Sequence, residues 1–186
     1  MRHYALTVAA VAAGLFLAGC LVSKTPLLDA KNARERPVGA GAYMACQVDA
    51  DAEEPDCQRT EISIAEDGLH RFFMPEEDET SYIRFGRLAP GALLAQAYEA
   101  DDDSYYYFLA EREGEGLALT LIACSEIPRR VRAKYQKRGE MTVDEDATVC
   151  DATTLGAVKA AAKAYRAAAP KDRARVVYMP IVEGAE

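Results

Sequence analysis

From residue 42 to residue 124 apolar positions come in short alternating runs separated by turn-forming residues. Residues 43–48 form the first run. Residues 61–64 alternate polar and apolar, Asp67-Gly68 offers a turn, and 69–74 follow. An acidic loop, 75–80, leads to 81–88, which sets Ile83 and Phe85 on one face. Pro90-Gly91 is the next turn, because Pro presets the first central dihedral and Gly accepts positive φ. Residues 93–98, 105–111 and 117–124 complete the set, with turns at 101–104 and 113–116. Strand starts recur about every 11 or 12 residues, the spacing of an antiparallel meander. Seven short strands must hide their edges. The pattern predicts a mainly β (α+β) fold, a meander closing into a small barrel or a two-sheet sandwich.

After Cys124 the period changes. Residues 128–138 read as a basic helical turn with Val131 and Tyr135 on one side. A clearer helix spans 155–168, capped by Thr153 or Asp151 and followed by Pro170. Leu155, Val158, Ala162 and Tyr165 fall on one stripe, and its small residues suit close packing against a sheet. Residues 175–182 read as a last strand. The chain shows no internal repeat and no low-complexity tract.

The N-terminus has a different character. Arg2 is the only Lys or Arg before Lys24, and residues 5–17 are uncharged and largely apolar. A positive start, a short apolar run and small residues at a cleavage point make a secretory signal peptide. The run is too short for a transmembrane helix, which needs ~20 residues. Leu17-Ala18-Gly19-Cys20 follows. This tetrapeptide resembles, residue for residue, the lipobox of bacterial lipoproteins. The resemblance implies a diacylglyceryl group on the Cys20 thiol, cleavage after Gly19 and acylation of the new amino group. Two or more chains hold a protein stably on a membrane. Leu21 is not aspartate, which resembles the outer-membrane default of Gram-negative envelopes and implies a domain facing the periplasm. The expected organisation is a signal peptide at 1–19, a lipidated tether at 20–40 and one β-rich domain with a C-terminal helix at 41–186. Pro26, Pro37, Gly39 and the mixed charges of 29–36 make the tether, which spans on the order of 25 Å. Alternatively Thr25 and Pro26 begin a short helix at Leu27-Leu28.

Cleavage leaves 167 of the 186 residues, enough for one domain. Loss of Arg2 takes the formal net charge from -8 to -9. Such a chain is unsuited to wrapping nucleic acid or to lying flat on anionic lipid. Between Asp49 and Asp103 there are sixteen Asp/Glu against four Lys/Arg. The opposite bias occupies 129–138, where Arg129, Arg130, Arg132, Lys134, Lys137 and Arg138 are basic. Two readings stand for that run: a site for an acidic surface, phosphate or lipid headgroups, or a solvated segment pairing with the acidic half of its own domain.

Four cysteines remain beside Cys20: Cys46, Cys57, Cys124 and Cys150. An even number in an exported chain argues for two disulfides. Three connectivities exist, and the two local loops favour Cys46–Cys57 with Cys124–Cys150. No Cys-x-x-Cys pair occurs and one histidine survives processing, so no metal site is expected.

Candidate chemistry is sparse. His70, the one histidine of the mature chain, reads as a surface or rim residue. A Ser–His–acid arrangement would have to combine it with Ser63, Ser81, Ser104 or Ser125, and no Gly-x-Ser-x-Gly elbow exists. Residues 49–53 begin like a calcium loop, but Glu54 and Thr60 stand where glycine and glutamate are needed. Residues 101–103 and 144–146 are acidic turns. Tyr105-Tyr106-Tyr107-Phe108 is the most unusual local feature. One pair fills the core, and the other is either a binding ridge or packing beneath the C-terminal helix. The expected binding surface is therefore Tyr105, Tyr106 and Tyr107 with Arg129, Arg130, Arg132 and Lys134. No catalytic residue and no cofactor beyond the lipid on Cys20 are expected. The leading reading is a non-catalytic envelope module that binds a protein partner or supports an envelope assembly. Behind it stand a lipocalin-like carrier of a small apolar ligand and a hydrolase of envelope polymers.

Overall fold

The computed structural model describes residues 19–48, 55–101, 103–168 and 173–182. The apolar run 5–17, the acidic stretch 49–54, Asp102 and Pro170 lie outside these residues. A short strand, β1 (Leu21–Ser23), comes first. The meander follows as β2 (Gly41–Val48), β3 (Asp56–Ile64), β4 (His70–Met74), β5 (Glu79–Ala89), β6 (Ala92–Glu99), β7 (Ser104–Glu113) and β8 (Gly116–Leu121). Then come helix α1 (Arg129–Lys137), β9 (Met141–Val143), β10 (Cys150–Ala152), helix α2 (Leu155–Ala168) and β11 (Arg175–Pro180). Strands β2 to β8 pair in order, each antiparallel to the next. β11 pairs antiparallel with both β8 and β2 and closes the ring. The result is an eight-stranded up-and-down barrel rather than a sandwich, and closure removes the edges a meander exposes.

Strand register decides what lies inside. Residues directly opposite one another share a face. Ile62 pairs with Phe72, His70 with Ile83, Phe85 with Ala95, Ala110 with Leu119, and Leu117 with Tyr178. These side chains, with Tyr43 and Val38, form the core along the barrel axis. A second core lies outside the barrel wall. Leu94 and Leu109 face it from β6 and β7, and Tyr107, Leu28, Tyr135, Val158 and Tyr165 complete it. β7 is therefore buried on both faces, which is why its sequence reads Tyr-Tyr-Tyr-Phe without polar alternation.

The tether expected at 20–40 is instead part of this second layer. β1 lies antiparallel to the start of β7 and parallel to β10, which in turn pairs with β9. Leu21, Leu28 and Ala33 are buried against the barrel wall and Val38 caps the barrel core. One side chain holds the middle of the segment. Gln96 Oε1 accepts the N–H groups of Leu27 and Leu28 at 2.9 and 2.8 Å and the Tyr107 hydroxyl at 3.1 Å. Gln96 Nε2 donates to the Leu28 carbonyl at 3.1 Å. The Tyr107 hydroxyl also meets Ser23 Oγ at 2.7 Å. Burial pushes the Tyr107 phenol up to about 12, so it stays a neutral member of the network.

Both disulfides pair as the local loops favoured. Cys46 and Cys57 are register partners across β2 and β3, and Cys124 joins β10 at Cys150. Helix α2 covers the expected residues, with Val158, Ala162 and Tyr165 buried and Leu155 half-buried. Its cap is Thr154, whose Oγ1 accepts the Ala157 N–H at 3.2 Å, rather than Thr153 or Asp151. The strand read as 117–124 ends at Leu121; the Ile122 N–H still reaches the Tyr107 carbonyl at 3.1 Å before the chain forms a 3-10 turn at Cys124–Glu126. The last strand ends at Pro180, two residues before the expected limit.

Candidate functional site

Cys20 is the second described residue, one residue before β1. The Gly19 carbonyl accepts the Cys124 N–H at 2.7 Å and the Cys20 carbonyl accepts the Cys150 N–H at 2.9 Å. Leu21 N–H donates to the Ile122 carbonyl at 2.8 Å. A side chain at Gly19 would overlap the Thr148 carbonyl, so only glycine fits there. Leu21 and Cys150 are register partners and share a face; alternation turns Cys20 to the other one. The Cys20 side chain is 4% exposed and packs with Val22 and Tyr106. It stays out of both disulfides.

Helix α1 grows out of the same corner. Its entry is the turn whose Cys124 holds Gly19. The Pro128 carbonyl accepts the N–H groups of Val131 and Arg132 at 2.8 and 3.3 Å, and no side chain caps the start. The stop is better made. Gly139 adopts φ +69, its N–H donates to Gln136 O at 2.9 Å, and Glu140 N–H donates to Tyr135 O at 3.0 Å. This pair of bonds is a Schellman motif, which favours glycine in the left-handed position. Tyr135 is buried and Val131 half-buried, the inward side expected from the sequence. The guanidinium of Arg138 and the ammonium of Lys134 lie 5.6 and 5.5 Å from the Tyr135 ring centre.

The rest of α1 is basic. Arg130, Lys134 and Lys137 stand at i, i+4 and i+7, so they share one exposed face. Arg129 is exposed beside them, and half-buried Arg132 has an Nε without a hydrogen-bond partner among the described residues. No described carboxylate lies within ion-pairing reach of Arg129, Arg130, Lys134 or Lys137; Arg138 meets Glu140 at 4.0 Å. The helix dipole disfavours cations in the first turn. Helix stability alone therefore does not account for Arg129 and Arg130.

The tyrosine ridge does not form. Tyr107 is fully buried beside Gln96, Tyr106 is buried with Cys20 and Val22, and Tyr105 is half-buried against the second core. The packing alternative is the one realised, with the aromatic run consumed by two cores. Tyr98, outside the run and 5.0 Å from the Tyr105 ring, is exposed.

His70 is not on a rim either. It is fully buried inside the barrel, with the Phe85 ring edge-on at 4.9 Å. Its Nδ1 meets the Gly68 carbonyl at 3.0 Å, and Nε2 has no partner among the described residues. Burial holds its pKa below the usual histidine value, and the Gly68 carbonyl opposes that only in part. Phe72 and Phe85 enclose the imidazole.

The acidic turns are engaged locally. Asp144 accepts the Val149 N–H at 2.8 Å and the Thr148 hydroxyl, and these bonds lower its pKa. Tyr98 donates to Asp103 at 2.9 Å. Among the described residues no three His, Cys, Asp or Glu side chains converge as a metal site. An open surface cleft of about 510 Å3 is lined by Ala30, Arg34, Arg36, Glu66, Asp67 and Gly68. Asp67 pairs with Arg84, and Arg34 and Arg36 donate to the backbone carbonyls of Ala30 and Glu66. The barrel axis itself is filled by Phe72, Phe85, Leu117 and their neighbours, whereas a carrier needs an open apolar cavity of several hundred Å3.

No known protein family, curated protein or solved structure matches this chain. The sequence signal for the network around Gln96 was weak: one glutamine among apolar residues of a strand. Its partners, Leu27 and Leu28, lie about seventy positions away.

Proposed function

We propose that this chain is a bacterial envelope lipoprotein, held on the membrane through Cys20, whose barrel is a non-catalytic module that binds a protein partner or supports an envelope assembly. The carrying observation is the position of Leu17-Ala18-Gly19-Cys20 immediately before β1. The cysteine of the lipobox-like tetrapeptide adjoins the first described strand. A diacylglyceryl group does not fit a side chain 4% exposed. On this reading cleavage removes the bond between Gly19 and Cys124, and Cys20 turns out of its contact with Val22 and Tyr106. Two further observations favour a binding module. The barrel interior is occupied by its own side chains, and the one mature-chain histidine is sealed within it. The outward residues of β3, β4, β5 and β11 remain exposed, among them Arg59, Arg71, Tyr82 and Met179.

Mass spectrometry of membrane-extracted protein tests the anchor. The expected product begins at Cys20 and carries three acyl chains. An unmodified Cys20, or an N-terminus elsewhere, overturns the reading. Photo-crosslinkers placed at Arg71 and Tyr82, neighbours across β4 and β5, test the module in intact cells: a discrete adduct is expected from this wall and not from Lys163 on α2. Enzymatic turnover of an envelope polymer by the purified protein would remove the non-catalytic half of the proposal.

A further inference from the structure

The barrel wall has a seam, and a buried histidine lies behind it. β5 runs from Glu79 to Ala89, but β4 pairs with it only as far as His70 and Ile83. Beyond that pair the place of β4 is taken by two irregular pieces, the turn at 65–69 and the segment 33–38. We propose that this seam is a pH-sensitive gate, in which protonation of His70 releases 33–38 from the turn and opens the barrel core to the cleft outside. The inference goes beyond the anchor at Cys20 and does not depend on it.

The two pieces are held unequally. The turn closes on itself, with the Ala65 N–H donating to Leu69 O at 2.8 Å and the Gly68 N–H to Ala65 O at 3.0 Å. Arg84 ties it to β5 through the Asp67 carbonyl at 3.1 Å and the Asp67 carboxylate at 2.6 Å. Segment 33–38 has lighter attachments. The Glu35 N–H donates to Phe85 O at 3.1 Å, and Arg36 donates to Glu66 O at 3.2 Å. Ala33 is buried in the outer core and Val38 in the barrel core, so the segment crosses from one to the other. The open cleft is lined by Ala30, Arg34 and Arg36 on one side and by Glu66, Asp67 and Gly68 on the other. It therefore marks the line along which the pieces part.

His70 is placed to drive them apart. Its fully buried ring is faced by Phe72 and Phe85, and its register partners are Ile64 and Ile83. None of these carries a charge. Nδ1 meets the Gly68 carbonyl at 3.0 Å, so an added proton goes to Nε2, which has no partner among the described residues. The Arg36 guanidinium repels that charge, and the carbonyls of Gly68 and Val38 attract it; burial outweighs both. The other charges at the seam are committed or turned outward. Asp67 pairs with Arg84 and Glu35 with Arg87, while Arg34 and Glu66 are exposed. An imidazolium in this position is relieved by water, and the route for water runs through the seam.

Amide hydrogen exchange of the mature protein, followed by NMR from pH 7 to pH 5 and corrected for the intrinsic rate, tests the gate. The closed form holds His70 below its ordinary value near 6.5 and the open form restores that value, so opening is favoured as pH falls. Protection of the Glu35 amide is expected to fall by up to roughly twentyfold over this range. It should level off at the pH where the His70 imidazole resonance titrates. Low urea should leave the Glu35 opening unchanged while accelerating exchange at Leu109, which pairs on both sides within the barrel wall. Constant protection at Glu35 overturns the inference, as does an opening as steep in urea as that of Leu109, which is global unfolding. An equal loss at Leu28 shows the whole N-terminal segment peeling and overturns it too. His70→Gln can still donate to the Gly68 carbonyl but takes no proton, and should make Glu35 exchange flat with pH. Loss that persists in this variant assigns the effect to Glu35 or Glu66 and sinks the proposal. Should the variant not fold, the unaltered protein decides: loss that continues below the imidazole midpoint excludes His70 as the trigger.

Discussion

Replacing Gln96 by methionine distinguishes a folded N-terminal segment from a tether. The substitution keeps length and volume and removes four hydrogen bonds made by one buried amide. Tyr107 retains Ser23 as a partner. The Leu27 and Leu28 N–H groups and the Leu28 carbonyl lose theirs. A buried polar group left unsatisfied costs about 1–3 kcal/mol, so three of them set a range of ~3–9 kcal/mol if the segment stays in place. The segment can instead peel away and return those groups to water. Peeling exposes Leu28 and Ala33, and a fully buried leucine contributes about 1.5–3 kcal/mol. The cheaper route decides, which gives an expected loss of ~3 kcal/mol out of a domain total of about 5–15 kcal/mol. Urea denaturation monitored by tyrosine fluorescence measures the loss. Hydrogen exchange at Leu27 and Leu28 separates the two routes, because peeling raises exchange at both amides well below the global transition. A destabilisation under ~1 kcal/mol, together with fast exchange of these amides in the unaltered protein, would refute the reasoning and return 21–40 to the status of a tether.

Three other outcomes follow from named contacts. The pKa of His70 is depressed by burial in the barrel, so the unfolded chain binds a proton near pH 6.5 that the folded chain resists. Stability should therefore fall as pH drops from 7 to 5, by at most about 1.4 kcal/mol per pH unit, and His70→Leu should flatten that slope; an unchanged slope refutes the assignment. The lowered carboxylates Asp67, Glu113 and Asp144 act in the same direction only at more acidic pH, as they protonate. Opening the Cys124–Cys150 loop by the double alanine variant should cost roughly 3.5 kcal/mol against ~3 for Cys46–Cys57, since it closes the longer loop; equal urea midpoints would show that loop closure is not the main term. Gly86→Ala places a methyl 3.0 Å from Leu28 Cδ2 and 3.3 Å from the Asn32 carbonyl. It should cost about 1–3 kcal/mol by overpacking, and Leu28→Ala in the same chain should recover part of that, as coupled neighbours do.

What the sequence disclosed and what it hid follow from how local each signal is. The meander and α2 are written in periodicities of two and of three to four, which a short window contains. Tyr165 and Val158 sit on their stripe whatever packs against it. β1, β9 and β10 have three residues each, too few for a period, and each exists because a neighbour presents a free edge. Residues 20–40 have the prolines, glycine and mixed charges of a linker, and their burial rests on single side chains, Leu21, Leu28, Ala33 and Val38, with no repeat between them. Their organiser is Gln96, a polar residue on an otherwise apolar strand, and nothing near it in sequence names its partners. His70 misleads for the opposite reason. Its type suggests a surface, while its spacing from Phe72 places it on the inward face.

Leu21 carries the sharpest consequence. It is fully buried in the second core, and an aspartate there would bury a charge. The fold alone therefore accounts for a leucine after Cys20, and the argument from its identity to an outer-membrane address loses its force. The anchor proposal rests on the four residues before it and requires the buried Cys20 side chain to turn outward. What changes is mechanical. A tether of some 25 Å would let the barrel turn freely and present any wall to a partner. A cysteine joined directly to β1 does not. On the proposed anchor, β1, β10 and β9 stand beside the lipid against β7, and the wall proposed for a partner lies on the strands they leave uncovered, where Arg71 and Tyr82 are exposed.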